Sequence, residues 1–341
     1  MKDGEIIEKL MEWGEDEIID REVARMRRGE TTLEALLARW PVDNYFLKIA
    51  LDPTLYPDTV PQEYLLEDDR SVALSKHPRY SPMRLHFHNY FEMNYVLSGA
   101  CTQRFEDGAA HLKRGDFCLL SPDAAHSIEA FDDDAIVINI AIRQSTFLKQ
   151  FSALARRDST ISRFFMDNLY SKKKLRYLLV RSGGDEDVYH MILRMYGEEL
   201  NRDAFSDDIL VASMTILFNL FMRRHASEME APPLRQTQSE TTDALLSYIH
   251  ARFADVTIQQ VADEFHFSRQ YCSRLIREMT GCTFSELVTG FRIGYAEDLL
   301  SNTFLRVEEI SERLGYANPE TFIRAFRRVK GMTPRQFRDQ E

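Results

Sequence analysis

The stretch Ile258–Leu287, IQQVADEFHFSRQYCSRLIREMTGCTFSEL, and the later stretch Val307–Phe337, VEEISERLGYANPETFIRAFRRVKGMTPRQF, are two copies of one pattern. Ile258 matches Val307, Val261 matches Ile310, Phe265 matches Leu314 and Phe267 matches Tyr316. After a one-residue insertion in the second copy, Cys272 matches Phe322, Arg274 matches Arg324, Ile276 matches Phe326, Arg277 matches Arg327 and Gly281 matches Gly331. Each copy reads as a short helix, a tight turn and a second helix with one apolar and one Arg-rich face, which is the helix-turn-helix plan. In that plan the second helix enters the major groove of DNA. Gly315 suits a turn that needs left-handed backbone; His266 holds the same place in the first copy, where histidine is tolerated better than a β-branched residue. Between the copies, TFSELVTGFRIGYAEDLL reads as one helix of about 18 residues, roughly 27 Å long. That length can set two reading helices about one turn of DNA, near 34 Å, apart.

The whole chain carries 43 Lys+Arg against 54 Asp+Glu, a formal charge of −11, which argues against a nucleic-acid partner until it is divided. Residues 241–341 hold 13 Lys+Arg and 14 Asp+Glu, so nearly all of the deficit lies in the first 240. Basic residues crowd into RQYCSRLIR and RAFRRVK, and local charge is what a polyanion meets. The 341 residues, 44% of them hydrophobic, predict two or three units with real cores. No apolar run approaches the roughly 18 residues that span a bilayer. The start, MKDGEIIEKLMEWGEDE, is acidic and broken by charge, so a cytoplasmic protein with no membrane partner is expected. Cys101, Cys118, Cys272 and Cys282 form no C-x-x-C pair, and buried free thiols are expected.

Upstream of the repeat, SEMEAPPLRQTQSETT places a linker at 227–242. Residues 144–226 read as a helical dimerisation or coupling section, in which KKKLRYLLVRSGG precedes amphipathic helices at about Asp187 to Asn201 and Ser206 to Arg224. The second helix carries ILVASMTILFNLF and needs a partner, either the domain before it or a second copy of the chain. Lys172 to Lys174 read as a solvated face and Phe164 to Tyr177 as core. Residues 60–143 break into alternating runs (SVALS, LHFHNYFEMNYVL, CTQRF, DFCLLS, AIVINIAI) divided by SGA, EDGA, KRGD, SPDA and DDD, the texture of a small antiparallel barrel or sandwich. Residues 1–59 read as helices without evident chemistry; ETTLEALLARW begins at a threonine cap and stops before Pro41.

Within the strand-rich region, HFHNYFEMNYVLSG (His86 to Gly99) places His86, His88, Glu92 and Asn94 on one side of a strand, allowing a small irregularity at Asn89 and Tyr90. Leu85, Phe87, Phe91, Met93, Tyr95 and Leu97 then fall on the other side. On pattern alone the apolar side is core and the histidines face water. The spacing H-x-H-x3-E-x6-G resembles the first motif of the cupin barrel, and GDFCLLSPDAAH, Gly115 to His126, is similar to the second, with Asp123 at a usual glycine and Ser121 at a usual proline. That resemblance implies instead that the polar side faces a cavity while helices cover the apolar side. His86, His88, Glu92 and His126 would then hold either a polar effector or a metal, and the residues leave the metal open.

The last hundred residues resemble the DNA-binding domain of the AraC/XylS family of bacterial transcription regulators, with GYANPETFIRAFRRVKGMTPRQFR similar to its signature segment. Regulators of that type often carry a cupin-like sensing barrel, so the two resemblances support each other. They imply an α+β chain: an N-terminal cupin-like β-barrel with flanking helices at 60–143, and an all-α domain of two helix-turn-helix units at 243–341. The first recognition helix falls on Ser268 to Met279, with Arg269, Gln270, Ser273, Arg274 and Arg277 toward DNA. The second falls on Asn318 to Lys330, with Glu320, Ile323 and Arg324 toward bases, Arg327 and Arg328 nearer phosphates, and Asn318 and Thr321 also among the DNA-binding residues. The implied ligand-binding residues are His86, His88, Glu92, Asn94 and His126. Implied partners are promoter DNA, a sugar or other small metabolite, a second copy of the chain, and RNA polymerase if the protein activates. No cofactor is implied and no enzymatic activity is expected. A metal-dependent cupin enzyme would leave the duplicated units idle, and an architectural DNA binder would need no sensing wall.

Overall fold

In a computed structural model the chain divides into two compact units, residues 1–147 with 176–232 and residues 148–175 with 233–341. The structure describes residues 2–55, 57, 59–60, 65–66, 70–81, 84–106, 108–151, 164, 168, 176–231, 239–303 and 305–339. The Lys172 to Lys174 run lies outside the described residues, as does most of Phe164 to Tyr177.

The first unit opens with helices α1 (Asp3–Met11), α2 (Glu15–Arg27), α3 (Leu33–Arg39) and α4 (Tyr45–Leu51). The threonine cap is in place: Thr32 Oγ1 accepts from the Ala35 N–H at 3.2 Å. The strands are β1 (Thr59–Val60), β2 (Val72–Lys76), β3 (Phe87–His88), β4 (Phe91–Ser98), β5 (Ala100–Phe105), β6 (Gly108–Lys113), β7 (Asp116–Leu120), β8 (His126–Glu129) and β9 (Ile136–Ile142), followed by α5 (Gln144–Phe151). Then come β10 (Tyr177–Arg181), α6 (Glu186–Leu200), α7 (Ser206–Arg224) and β11 (Met229–Glu230).

Two sheets carry this unit, one in the order β11-β10-β7-β4-β9-β2 and one in the order β6-β5-β8. The expected barrel is therefore not closed among the described residues. Strand β4 already has β7 on one edge and β9 on the other, so the chain leaving it at Gly99 has to begin a second sheet. An isolated bridge, His86 to His126, joins the strand-rich segments. The boundary at 143 is also corrected. Tyr177–Arg181, expected to be helical, pairs antiparallel with β7, and Met229–Glu230, expected in the linker, pairs with β10. The run YLLVR is short, branched and buried at its centre, which suits an inner strand better than a helix.

Strand periodicity of two sorts the residues of the six-stranded sheet. Phe91, Met93, Tyr95 and Leu97 lie on the face that helices cover: Phe91 stacks on Phe147 with ring centroids 3.5 Å apart, and Phe117 meets Phe221 edge-on at 4.5 Å. Helices α6 and α7 pack against β2, and α1 packs against α6. Most of the α7 stripe is used here, because Leu210, Met214, Leu217, Phe218 and Phe221 are all buried. Residues Leu85 and Phe87, expected in the core, are instead exposed, because the irregularity at Asn89–Tyr90 ends β3 before β4 begins.

The first helices are fastened to the sheets by a buried ion pair. Arg79 Nε–H and Nη2–H donate to Glu17 Oε1 and Oε2 at 3.0 Å each, and the guanidinium lies 3.8 Å over the Trp13 ring. Its remaining N–H groups reach the carbonyls of Glu12 and Asp133 at 2.9 Å. A guanidinium this buried is stable only when its donors are paired.

The second unit is helical where described: α8 (Ser239–Ala251), α9 (Ile258–Glu264), α10 (Arg269–Thr280), α11 (Phe284–Asn302), α12 (Val307–Arg313), α13 (Pro319–Lys330) and α14 (Pro334–Arg338). Helix α8 begins inside the stretch expected as linker. Repeat-matched positions share environments: Val261 and Ile310, Cys272 and Phe322, and Ile276 and Phe326 are each fully buried. The punctuation repeats too. Gly281 and Gly331 end α10 and α13 in left-handed backbone, at φ 79° and 76°. Thr283 and Thr333 then cap the next helices in capping boxes with Glu286 and Gln336.

Candidate functional sites

The two turns confirm the reading of the repeat. Gly315 has φ 73°, and a Cβ there would fall 1.5 Å from the Ala254 carbonyl oxygen, so only glycine fits. His266 adopts φ 54° in the first copy. The extra residue of the second copy lies between Tyr316 and the helix cap Asn318.

Both expected recognition helices are present. Ser268 caps α10 by accepting from the Tyr271 N–H at 3.2 Å, and Asn318 caps α13 by accepting from the Thr321 N–H at 2.9 Å. Arg269, Gln270, Ser273, Arg274 and Arg277 on α10, and Glu320, Arg324, Arg327 and Arg328 on α13, are exposed. Ile323 is half-buried. Asn318 and Thr321 differ from the rest: Thr321 Oγ1 donates to Asn318 Oδ1 at 2.9 Å, so both serve the cap first and only the Asn318 amide N–H2 faces outward as a donor. Arg274 lies 3.8 Å from Glu278 and 5.4 Å over the Tyr271 ring, a restraint that extends it along the helix face. The helix between the units, α11, has 19 residues, about 28 Å at 1.5 Å per residue.

In the first unit the polar side of β4 faces the interior, not water. His88, Glu92, Asn94 and His126 are all buried, with exposures of 1%, 4%, 0% and 1%. Glu92 and Asn94 share their face with Leu120, Cys118, Ala141 and Asn139 across the ladder, and the apolar remainder of that interior is formed by Val96, Phe105, Leu112, Ile128 and Val137. His86 is buried and its ring lies 4.5 Å from that of His126.

Three imidazoles are oriented alike. His86 Nδ1, His88 Nδ1 and His126 Nδ1 stand 3.1, 2.8 and 2.9 Å from the carbonyl oxygens of Arg84, Tyr90 and Ala124. A carbonyl only accepts, so each Nδ1 carries the proton and donates it. The Nε2 atoms of His88 and His126 converge on Glu92 Oε2 at 2.8 and 3.2 Å. An Nε2–H on either ring donates to that oxygen, a charge-assisted contact with the carboxylate. Burial pushes the Glu92 carboxyl up, but the two imidazoles beside it hold it well below the usual carboxylate range.

Sequence reading missed three residues of this wall: His77, Gln103 and Asn139. Both ring nitrogens of His77, both amide atoms of Gln103 and Asn94 Oδ1 are buried without a hydrogen-bond partner among the described residues. Burial pushes His77 down to about 4 and, with the neighbouring His126, His86 to about 4, so both rings are neutral at pH 7. Only register places these residues, since β5 and the end of β2 carry no motif. A separate cleft of about 300 Å3, lined by Asp187, His190, Met191, Arg194 and Leu220, lies on the outer helices and shares none of the wall residues.

Known proteins match both regions. The family model described as "AraC-like ligand binding domain" matches residues 71–204, and "Helix-turn-helix domain" matches residues 261–340. The transcriptional activator RhaR of Escherichia coli is 22% identical over 280 residues, 81% of this chain and 94% of that protein. The uncharacterised regulator YtdP of Bacillus subtilis is 33% identical over 101 residues, of which the chain spans 13% of that protein's length. Among solved structures, an apo form of ToxT from Vibrio cholerae aligns over 80% of this chain and 98% of its own, at 14% identity and TM-score 0.36. No helix among the described residues is long and apolar enough to cross a membrane. With a ligand-binding domain preceding a helix-turn-helix domain, and with an activator similar along most of its length, the chain belongs to the AraC family of DNA-binding transcriptional regulators.

Proposed function

We propose that the chain switches transcription at a promoter when a small polar molecule is held against the buried wall of His86, His88, Glu92, Asn94 and His126. The observation that carries this reading is the set of orphaned polar atoms on His77, Asn94 and Gln103. A buried polar group left unpaired costs about 1–3 kcal/mol, and several on one interior face favour a ligand that pairs them. A sugar or other polyhydroxylated metabolite supplies both donors and acceptors.

On the DNA side, α10 and α13 read successive major grooves, with Arg274 and Arg324 on base edges and Arg327 and Arg328 on phosphates. The exposed side chains of Ile209 and Ile216, seven residues apart on α7, support a second copy of the chain docking there. Activation would add RNA polymerase as a partner, and the setting would be the cytoplasm. The similar proteins are regulators, which favours switching over catalysis.

The test is fluorescence anisotropy with DNA selected from a random pool by the full-length protein, in the presence of sugars and small metabolites that first raise its melting temperature. A ligand that changes DNA affinity in the wild type but not in Asn94→Leu supports the reading. DNA affinity that no stabilising ligand alters, or equal affinity for random and selected DNA, refutes it. A strictly monomeric mass by light scattering at micromolar concentration refutes the dimer.

A further inference from the structure

We propose that Arg292 is a positioning residue for DNA reading. It clamps the two helix-turn-helix units to each other, so that α10 and α13 meet DNA at one fixed angle and the protein discriminates sites by the spacing of their two halves. This rests on the reading of α10 and α13 as the two reading helices and adds what sets their phase.

The connecting helix supplies the distance. Helix α11 packs against α8 and α10 of the first unit and against α12, α13 and α14 of the second. Distance and rotation are separate quantities, however, and a second attachment away from the helix axis is what fixes the rotation. Such an attachment exists where the loop between α8 and α9 meets the turn between α12 and α13. A Cβ on Gly315 would lie 1.5 Å from the Ala254 carbonyl oxygen and 2.5 Å from its carbonyl carbon, so the backbones of the two units touch there.

Arg292, midway along α11, reaches into this junction. Its Nε–H donates to the Phe253 carbonyl at 3.0 Å and its Nη2–H to the Ala254 carbonyl at 2.9 Å. Both carbonyls lie past Ala251, the last residue of α8, where partners within a helix have run out. The same guanidinium lies 5.0 Å over the ring of Tyr316, the residue after Gly315. One planar group therefore holds the loop of the first unit by two hydrogen bonds and the turn of the second by its face. The Ala254 oxygen is common to both contacts. Lysine, a point charge without a fork, could not bond two successive carbonyls and cover a ring at once.

Arg338 provides the comparison. On α14 it donates Nε–H and Nη2–H to the carbonyls of Leu300 and Leu305 at 3.2 and 2.8 Å, where the second unit opens. Each unit is thus closed by an arginine from the helix that follows its reading helix. Of these two, among the described residues, Arg292 alone lies over a ring of the other unit.

The experiment uses full-length protein and DNA selected from a random pool, on which footprinting marks the two protected major grooves. One base pair inserted between them turns the far half by about 35° and moves it by about 3.4 Å. The wild type should lose about tenfold or more in affinity for the inserted DNA, because one reading helix leaves its base edges. Arg292→Ala and Tyr316→Ala should bind the two spacings within about threefold of each other. Arg338→Ala should keep the wild-type ratio, whatever its melting temperature. Arg292→Lys keeps the charge without the fork and serves where the alanine variant fails to fold; it too should relax the ratio. A purely structural role would lower melting temperature and affinity at both spacings alike, and an unchanged ratio in the Arg292 variants overturns the proposal. Equal relaxation in Arg338→Ala overturns it as well, as does a wild type indifferent to the insertion. Failure of the underlying reading looks different: protection of a single groove, or equal affinity for random and selected DNA, refutes the pair of reading helices itself.

Discussion

Replacing Gly315 with alanine tests the turn that defines the second DNA-reading unit. At φ 73° an L residue bears a left-handed strain of about 1–2 kcal/mol. The new methyl carbon would lie 1.5 Å from the Ala254 carbonyl oxygen, and that atom is backbone, so the segment between α8 and α9 has to move. Forcing an extra carbon into a packed site adds about 1–3 kcal/mol. The sum, about 2–5 kcal/mol, is a large share of the roughly 5–15 kcal/mol that holds a domain folded. His266 is the internal control, because it occupies the matching turn at φ 54° with a side chain already present. His266→Gly relieves the strain but loosens the unfolded chain, so its net effect should stay under about 1 kcal/mol. Denaturant titration of the full chain gives the size of each effect, and native-state hydrogen exchange on α9, α10, α12 and α13 shows that it falls on this domain. A Gly315→Ala protein within about 0.5 kcal/mol of wild type would refute the close approach of the two backbones.

Arg79→Ala leaves the buried Glu17 carboxylate with Lys76 and the backbone N–H groups of Gly14 and residue 79 as partners and should cost about 3–5 kcal/mol, read as a lowered melting temperature of the sensing domain. Burial alone would raise the Glu17 carboxyl, but hydrogen bonds from Arg79, Lys76 and the Gly14 N–H lower it from 4.5 to about 2. Its stabilisation is therefore complete above pH 4.5 and lost as pH falls toward 2, so the gap between wild type and Glu17→Gln should shrink by about 3 kcal/mol over that range in acid titrations. Arg274→Ala and Arg324→Ala should each weaken binding to selected DNA by about 1–3 kcal/mol with unchanged melting, while Arg327→Ala should lower the salt dependence of log K by about 0.9. Unchanged anisotropy titrations for both base-edge variants would mean that another face of the helices meets DNA. Phe322→Ala, which removes a fully buried ring from the second helix-turn-helix, should cost about 3–5 kcal/mol by denaturant titration.

Local features decided much of what could be read in advance. The repeat, the cap residues Ser268 and Asn318, the glycine stops and the Arg-rich faces are short-range patterns, and helices and turns are built from short-range interactions. The helix Ser206–Arg224 was legible to the residue because its 3.6-residue period lies within one segment. Alternation likewise found β2, β4, β5, β7 and β9, but not β10 or β11, whose strand character depends on the neighbours they pair with. The same dependence left Lys76, Arg79 and Glu17 unnoticed as a cluster, since they lie far apart in sequence.

By itself the sequence determined the class of the protein, the two helix-turn-helix units and the identity of four polar residues on one side of a strand, with His126 from a second motif. It could not say whether that side met water or the interior, because an alternating strand has two faces and only the layers packed on it choose between them. The tertiary structure decided it: Phe147 of α5 stacks on Phe91, Phe221 of α7 meets Phe117 on the same apolar face, and the second sheet brings His126 against Glu92. With the apolar face taken, His88, Glu92 and Asn94 are shut inside with His77, Gln103 and Asn139, where an unpaired polar atom is costly.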